Sequence, residues 1–139
     1  MVGSERTGAD FARDWIRNSP FANRVGVKLE SLEPDGATLA VDYDESLTTL
    51  GDVVHGGVIS TLVDTAAAAA AWSTPDGSVP SAATTVGLTV EFLSAARGTD
   101  LRVVARVIKR GRSLCFIDVE VGDPAGELVA KGIVTYKVG

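Results

Sequence analysis

The sequence predicts an α+β chain in which one long helix lies on one antiparallel sheet, and three features carry that prediction. Residues 57–72, GVISTLVDTAAAAAAW, hold no helix breaker after their first position and are dominated by alanine, the strongest helix former. Beyond residue 80 the hydrophobic period becomes two, that of a strand with one covered face. The connections between the later strand-like runs are short and carry glycine, which favours antiparallel neighbours.

In chain order, residues 10–18 place Phe11, Trp15 and Ile16 at i, i+4 and i+5 with Ala12 beside them, a short amphipathic helix that Ser19-Pro20 stops. Extended stretches over 25–31 and 37–43 flank Glu33-Pro34-Asp35-Gly36, a turn, and make a hairpin. In the long helix Val58, Ile59, Leu62, Val63 and Ala66 form an apolar stripe, while Ser60, Thr61, Asp64 and Thr65 share another side. Its six alanines allow neighbours to approach the backbone closely, which places the helix centrally. The turn-rich stretch 73–80 follows. Val86, Leu88, Val90 and Phe92 then alternate with Thr85, Gly87, Thr89 and Glu91, and further runs span 101–109, 113–121 and 128–138. Their links, Arg97-Gly98, Arg110-Gly111-Arg112 and Asp123-Pro124-Ala125-Gly126, predict a four-strand meander.

With 139 residues, 45% hydrophobic and 22% charged, the chain has the content of one domain over 1–139, about 1–20 being an N-terminal helical extension. A net charge of -5 and a pI near 4.8 supply no positive field for nucleic acid or anionic lipid, so neither is expected as a partner. Cys115 is alone, which excludes an internal disulfide and a metal site with paired thiolates, and fits a reducing, cytoplasmic setting. The opening residues lack the apolar core of a secretion signal, and no run of about 18 apolar residues appears; the chain is expected to be soluble, with no membrane partner.

The chemistry gathers at the start of the long helix. His55-Gly56-Gly57 stands where the first amides of a helix have no internal acceptor and carry partial positive charge, a ready site for an oxyanion. The two glycines let a ligand approach the backbone. Asp64 lies seven residues after Gly57, and seven steps of about 100° return it to the same face, about 10.5 Å away along the axis. That separation is too long for both to serve one carbonyl in one subunit. A two-fold dimer with antiparallel helices sets Gly57 of one copy opposite Asp64 of the other, which predicts two active sites at a homodimer interface. Taken singly, an Asp on the polar side of a helix is more often solvated than catalytic, and a His-Gly-Gly turn can be only a helix start. Their shared face, on a helix whose alanines indicate burial, favours the catalytic reading.

The segment from Gly51 to Ala66, GDVVHGGVISTLVDTA, resembles the signature of the phenylacetyl-CoA-thioesterase-like (PaaI-like) branch of hotdog proteins, in which a Gly and then His-Gly-Gly precede Leu-x-Asp-x-Ala. The resemblance runs from about residue 21 onward. It implies a hotdog fold, with an antiparallel sheet wrapped around a central helix, and homodimers that often pair into homotetramers. It also implies hydrolysis of an acyl-CoA thioester to free acid and CoA with no metal and no cofactor, coenzyme A being part of the substrate. By that resemblance Asp64 matches the family carboxylate, acting as general base or as nucleophile, and Gly57 matches the residue whose N–H polarises the carbonyl. His55 matches the motif histidine that shapes the turn or hydrogen-bonds near the thioester, beside Gly56. Thr85 matches a position where related enzymes carry a Ser or Thr that helps to place water or substrate. Where relatives usually carry an Asn before the motif glycine, this chain reads Leu47-Thr48-Thr49-Leu50-Gly51, and Thr48 or Thr49 stands in.

Coenzyme A carries phosphates, and Lys109, Arg110 and Arg112 around Gly111 are the candidate cations, although basic residues at a hairpin tip are commonly only solubilising. Phe11 and Trp15 read as packing of the terminal helix before they read as cover for an acyl chain. A hotdog hydratase would use a histidine with an acidic partner, and the only histidine, His55, sits in the carbonyl-binding turn. A non-catalytic acyl-CoA-binding hotdog module is the alternative, against which the retention of Asp64 argues.

Overall fold

Helix α1 (Gly8–Asn18) begins at Thr7, whose hydroxyl accepts from the Asp10 N–H while the Asp10 carboxylate accepts from the Thr7 N–H, a reciprocal cap. The computed structural model describes residues 5–139, so residues 1–4 of the expected N-terminal extension lie outside the described residues. Ser19 ends α1, as expected, and also starts α2 (Pro20–Val25): its Oγ accepts from the Ala22 N–H at 3.2 Å, and Pro20 fills the first helical position, where a missing N–H is harmless. Val25 therefore belongs to a helix and not to the first strand.

The hairpin follows as β1 (Val27–Glu33) and β2 (Gly36–Val41), turning through Asp35 at φ 61°. Two short strands, β3 (Thr48–Leu50) and β4 (Val53–Val54), pair with each other and lead into α3 (Gly56–Trp72). Then come β5 (Thr84–Phe92), β6 (Leu101–Arg110), β7 (Leu114–Gly122) and β8 (Leu128–Lys137). Six strands form one antiparallel sheet in the order β1-β2-β6-β7-β8-β5.

This order corrects the expected four-strand meander. The strands β6, β7 and β8 do follow one another, but β5 pairs with β8 at the sheet edge, and β6 pairs with β2. The link 93–100 is not a tight turn, because its backbone is engaged with the segment ahead of α3. The Val54 N–H donates to Ala96 O at 2.9 Å, the Gly98 N–H to Asp52 O at 2.8 Å, and Val53 bridges Arg97. A register shift at Val86 interrupts β5, and of its four alternating apolar residues only Val90 packs against the core. Val86, Leu88 and Phe92 stay 57%, 42% and 54% exposed on an edge strand with nothing outside it.

Helix α3 touches all six strands of the sheet on one side and α1 on the other. Ile59, Leu62, Val63 and every alanine from Ala66 to Ala71 are buried. Close approach is why small residues are needed: a Cβ on Gly132 of β8 would stand 2.6 Å from Val63 Cγ1, and one on Gly8 would collide with the Trp72 carbonyl. The Phe11 ring meets Trp72 edge-on at 6.2 Å between centroids, so this aromatic packs the terminal helix onto the core. The side of α3 bearing Ser60, Thr61, Asp64 and Thr65 is only partly covered.

Candidate active site

A short 3-10 turn (Glu45–Leu47), β4 and the link 93–100 position the helix start. The His55 N–H donates to Leu47 O at 2.8 Å, and the neighbouring Val54 is held by Ala96. Fixed in this way, the His55 side chain folds back as the N-cap of α3, and Nδ1 accepts the Gly57 N–H at 2.7 Å. A Cβ on Gly57 would lie 2.8 Å from that nitrogen, so glycine makes the cap possible. With Nδ1 acting as acceptor, the ring N–H donor is Nε2.

The Gly57 N–H, expected to polarise the carbonyl, is engaged by His55 in this structure. The amide one residue earlier is the open one. Among the described residues the Gly56 N–H has no acceptor, and the edge of the Phe92 ring lies 3.4 Å from where a Gly56 Cβ would be. The turn thus offers the Gly56 N–H and the His55 Nε2–H as donors, next to an exposed aromatic ring.

Asp64, two turns along α3, is half-buried. The Thr85 hydroxyl donates to its Oδ1 at 2.6 Å, and among the described residues Oδ2 has no partner. Thr85 is seated by β8, where its register partner is Tyr136. Burial pushes the Tyr136 phenol above its ordinary pKa; hydrogen bonding with Trp72 opposes the shift, and the Asp64 charge adds to it. Tyr136 was not among the expected site residues, although period-two alternation with Val134 in the last strand puts it on the face that meets α3.

Within one chain the open amide and the carboxylate are not brought together. Eight residues of helix separate Gly56 from Asp64, about 12 Å at 1.5 Å per residue. Thr49 in β3 is exposed, and its hydroxyl makes no hydrogen bond among the described residues, whereas that of Thr48 donates to Glu45 O at 2.8 Å.

The predicted phosphate cations split. Arg110 is engaged within the chain: its Nε lies 2.9 Å and its terminal nitrogen 2.8 Å from Asp35 Oδ1, and it reaches Ala70 O at 3.5 Å, tying the β1–β2 turn to the end of α3. Lys109, Gly111 and Arg112 are exposed, and among the described residues neither Lys109 nor Arg112 forms an ion pair. Through Ala70, this hairpin sits at the opposite end of α3 from His55. Among the described residues no three His, Cys, Asp or Glu side chains cluster as a metal site requires, and no helix is long and apolar enough to cross a membrane.

Comparison with known proteins adds an independent line. A family model described as the thioesterase superfamily matches residues 51–130. Human acyl-coenzyme A thioesterase 13 is 30% identical over 115 residues, covering 81% of this chain and 80% of the human protein. A Halobacterium salinarum protein provisionally named an esterase is 35% identical over 120 residues, covering 84% of this chain and 79% of its own. Among solved structures, a thioesterase family protein from Silicibacter pomeroyi superposes with a TM-score of 0.85 at 29% identity, covering 95% of this chain and 99% of that one. The Escherichia coli PaaI protein of the phenylacetic acid degradation operon shares the fold, with a TM-score of 0.83 at 23% identity over 95% of this chain and 94% of its own.

Proposed function

The chain belongs to the thioesterase superfamily and is a thioester hydrolase, and on that premise we propose that it cleaves acyl-CoA to the free acid and coenzyme A in a homodimer. The carbonyl oxygen of the thioester lies against the Gly56 N–H and the His55 Nε2–H of one subunit, where negative charge develops as the carbon turns tetrahedral. A single such donor contributes about 3–4 kcal/mol to the transition state. Asp64 of the partner subunit acts on the carbonyl carbon through Oδ2, while Thr85 holds Oδ1.

As general base, Asp64 takes a proton from the attacking water as the oxygen–carbon bond forms. The oxyanion then collapses, the C–S bond breaks, and the proton passes to the CoA sulfur. As nucleophile, Oδ2 attacks the carbon itself and expels CoA thiolate, and water then opens the resulting anhydride. Both routes use the same residues. Thr49 supplies a free hydroxyl near the His55 turn for water or substrate, and Lys109 and Arg112 are the cations left for the coenzyme A phosphates.

The dimer is supported by the roughly 12 Å between Gly56 and Asp64 along one helix, which two antiparallel copies of α3 close. It is supported too by the edge strand β5, which leaves Val86, Leu88 and Phe92 exposed. A lone, buried Cys115 fits the cytoplasm. The observation that carries the reading is the Thr85–Asp64 hydrogen bond, which presents one free carboxylate oxygen about two turns along α3 from the open Gly56 amide.

The test is thiol release from a panel of aryl and straight-chain acyl-CoAs with wild type and Asp64→Asn. Release that falls about 10² to 10⁴-fold in Asp64→Asn supports the mechanism. Binding with no release by wild type would instead make the chain an acyl-CoA-binding module.

A further inference from the structure

We infer that the crevice where α1 and α2 meet α3 receives the apolar tail of the acyl group, with Trp15 and Phe21 setting which tails are accepted; this rests on the thioesterase reading of Asp64. The crevice has a volume of about 360 Å³ and is walled by Trp15, Ile16, Phe21, Ala22 and Thr65, with Asn18 and Ser19 at its edge. That volume lies in the range of pockets that hold small ligands.

Position is the first argument. Thr65 follows Asp64 directly, with their Cα atoms about 3.8 Å apart, so the crevice opens one residue from the carboxylate. A thioester carbonyl presented to Asp64 needs room within a few carbons for its tail, and the crevice wall begins at the next residue of the helix.

Chemistry is the second. No ionised side chain lines this crevice, whereas four other clefts each carry charged residues. An uncharged, largely apolar wall suits a hydrocarbon or aryl tail and leaves the charged coenzyme moiety to lie elsewhere.

The third argument is what the aromatic residues leave undone. Phe11 and Trp15 stand one turn apart on the same face of α1. With Gly8 against the Trp72 carbonyl, α1 runs antiparallel to α3, so the step from Phe11 to Trp15 leads from Trp72 toward Thr65. Phe11 is packed edge-on against Trp72, but Trp15 remains 43% exposed and Phe21 61% exposed in the lining of the crevice. Two exposed aromatic side chains in one apolar lining offer contact area to a flat or extended apolar group.

The test compares kcat/KM for acetyl-CoA, decanoyl-CoA and phenylacetyl-CoA in wild type, Trp15→Ala and Phe21→Ala, with circular dichroism and thermal melting as fold controls. Both variants are expected to lose about tenfold or more on decanoyl- and phenylacetyl-CoA and to stay within about twofold on acetyl-CoA, as removal of an apolar wall discriminates by tail. Equal loss on all three, or no loss on any, overturns the inference. Binding of S-decyl-CoA, a thioether that no thioesterase can cleave, separates the two readings. Affinity weakened about tenfold in Trp15→Ala supports the tail site even if wild type hydrolyses nothing, and unchanged affinity in both variants overturns it.

Discussion

Thr85 and Asp64, 21 positions apart, are joined by a 2.6 Å hydrogen bond in which the threonine hydroxyl donates to Oδ1. That bond holds one carboxylate oxygen and leaves the other without a partner among the described residues. Thr85→Val keeps the shape and deletes the donor, so kcat should drop about tenfold or more while KM moves little, as a hydrogen bond to a charged group is worth about 1.5–3 kcal/mol. Thr85→Ser should retain most of the rate. Steady-state kinetics on one good acyl-CoA decides it, and a rise in KM at constant kcat would assign Thr85 to binding alone.

Gly132 and Val63 mark the closest approach of β8 to α3. With a Cβ at 2.6 Å from Val63 Cγ1, Gly132→Ala should cost about 1–3 kcal/mol in urea unfolding, as overpacking does. Adding Val63→Ala should recover part of that loss. A double variant no more stable than Gly132→Ala alone would place the strain elsewhere.

Arg110 and Arg112, on either side of Gly111, should separate cleanly. Arg110→Ala breaks the tie to Asp35 and Ala70 and should lower stability by about 1–2 kcal/mol with KM for acyl-CoA nearly unchanged. Arg112→Ala, with no partner to lose among the described residues, should leave stability alone and raise KM, more at low salt than at high salt. The opposite pattern would return Arg110 to the substrate.

Tyr136 should be visible in alkaline unfolding. Burial raises its pKa in the folded state above the ordinary value of 10.0, so above that pH the unfolded chain has released a proton that the native chain keeps. The unfolded state then binds fewer protons, and stability falls as pH rises from 10 through the folded value. Tyr136→Phe should remove this part of the fall. Cys115, raised for the same reason, and the raised Lys28 and Lys131 contribute equally to both proteins and cancel in the difference. Superimposable slopes above pH 10 would contradict the buried phenol.

What could be read in advance was local. The alanine run, the period of 3.6 and the His-Gly-Gly start need only neighbours in sequence to define α3, and the same arithmetic put Asp64 on its open side. Pairing was harder. A glycine-bearing link before β6 reads as a hairpin turn, yet its fate is set by contacts of Ala96 and Gly98 with Val54 and Asp52, about which local pattern is silent. The partner of Arg110 lies 75 positions away. At the helix start, backbone periodicity does not say which of the Gly56 and Gly57 amides is left open, because that belongs to the rotamer of His55. Pro20 was read for the helix it stops and not for the one it starts.

The place of β8 between β5 and β7 has a consequence for biosynthesis. The ribosome delivers Asp64 and Thr85 early, but the strand that seats Thr85 against the helix is the last of the eight to be made. Until it arrives, β5 has no neighbour in the sheet, and its open edge is available to any other nascent strand. Enzyme activity in a translating cell would therefore report the arrival of β8 more sharply than helix formation does, and products cut short before β8 would be prone to aggregate before they could hydrolyse anything.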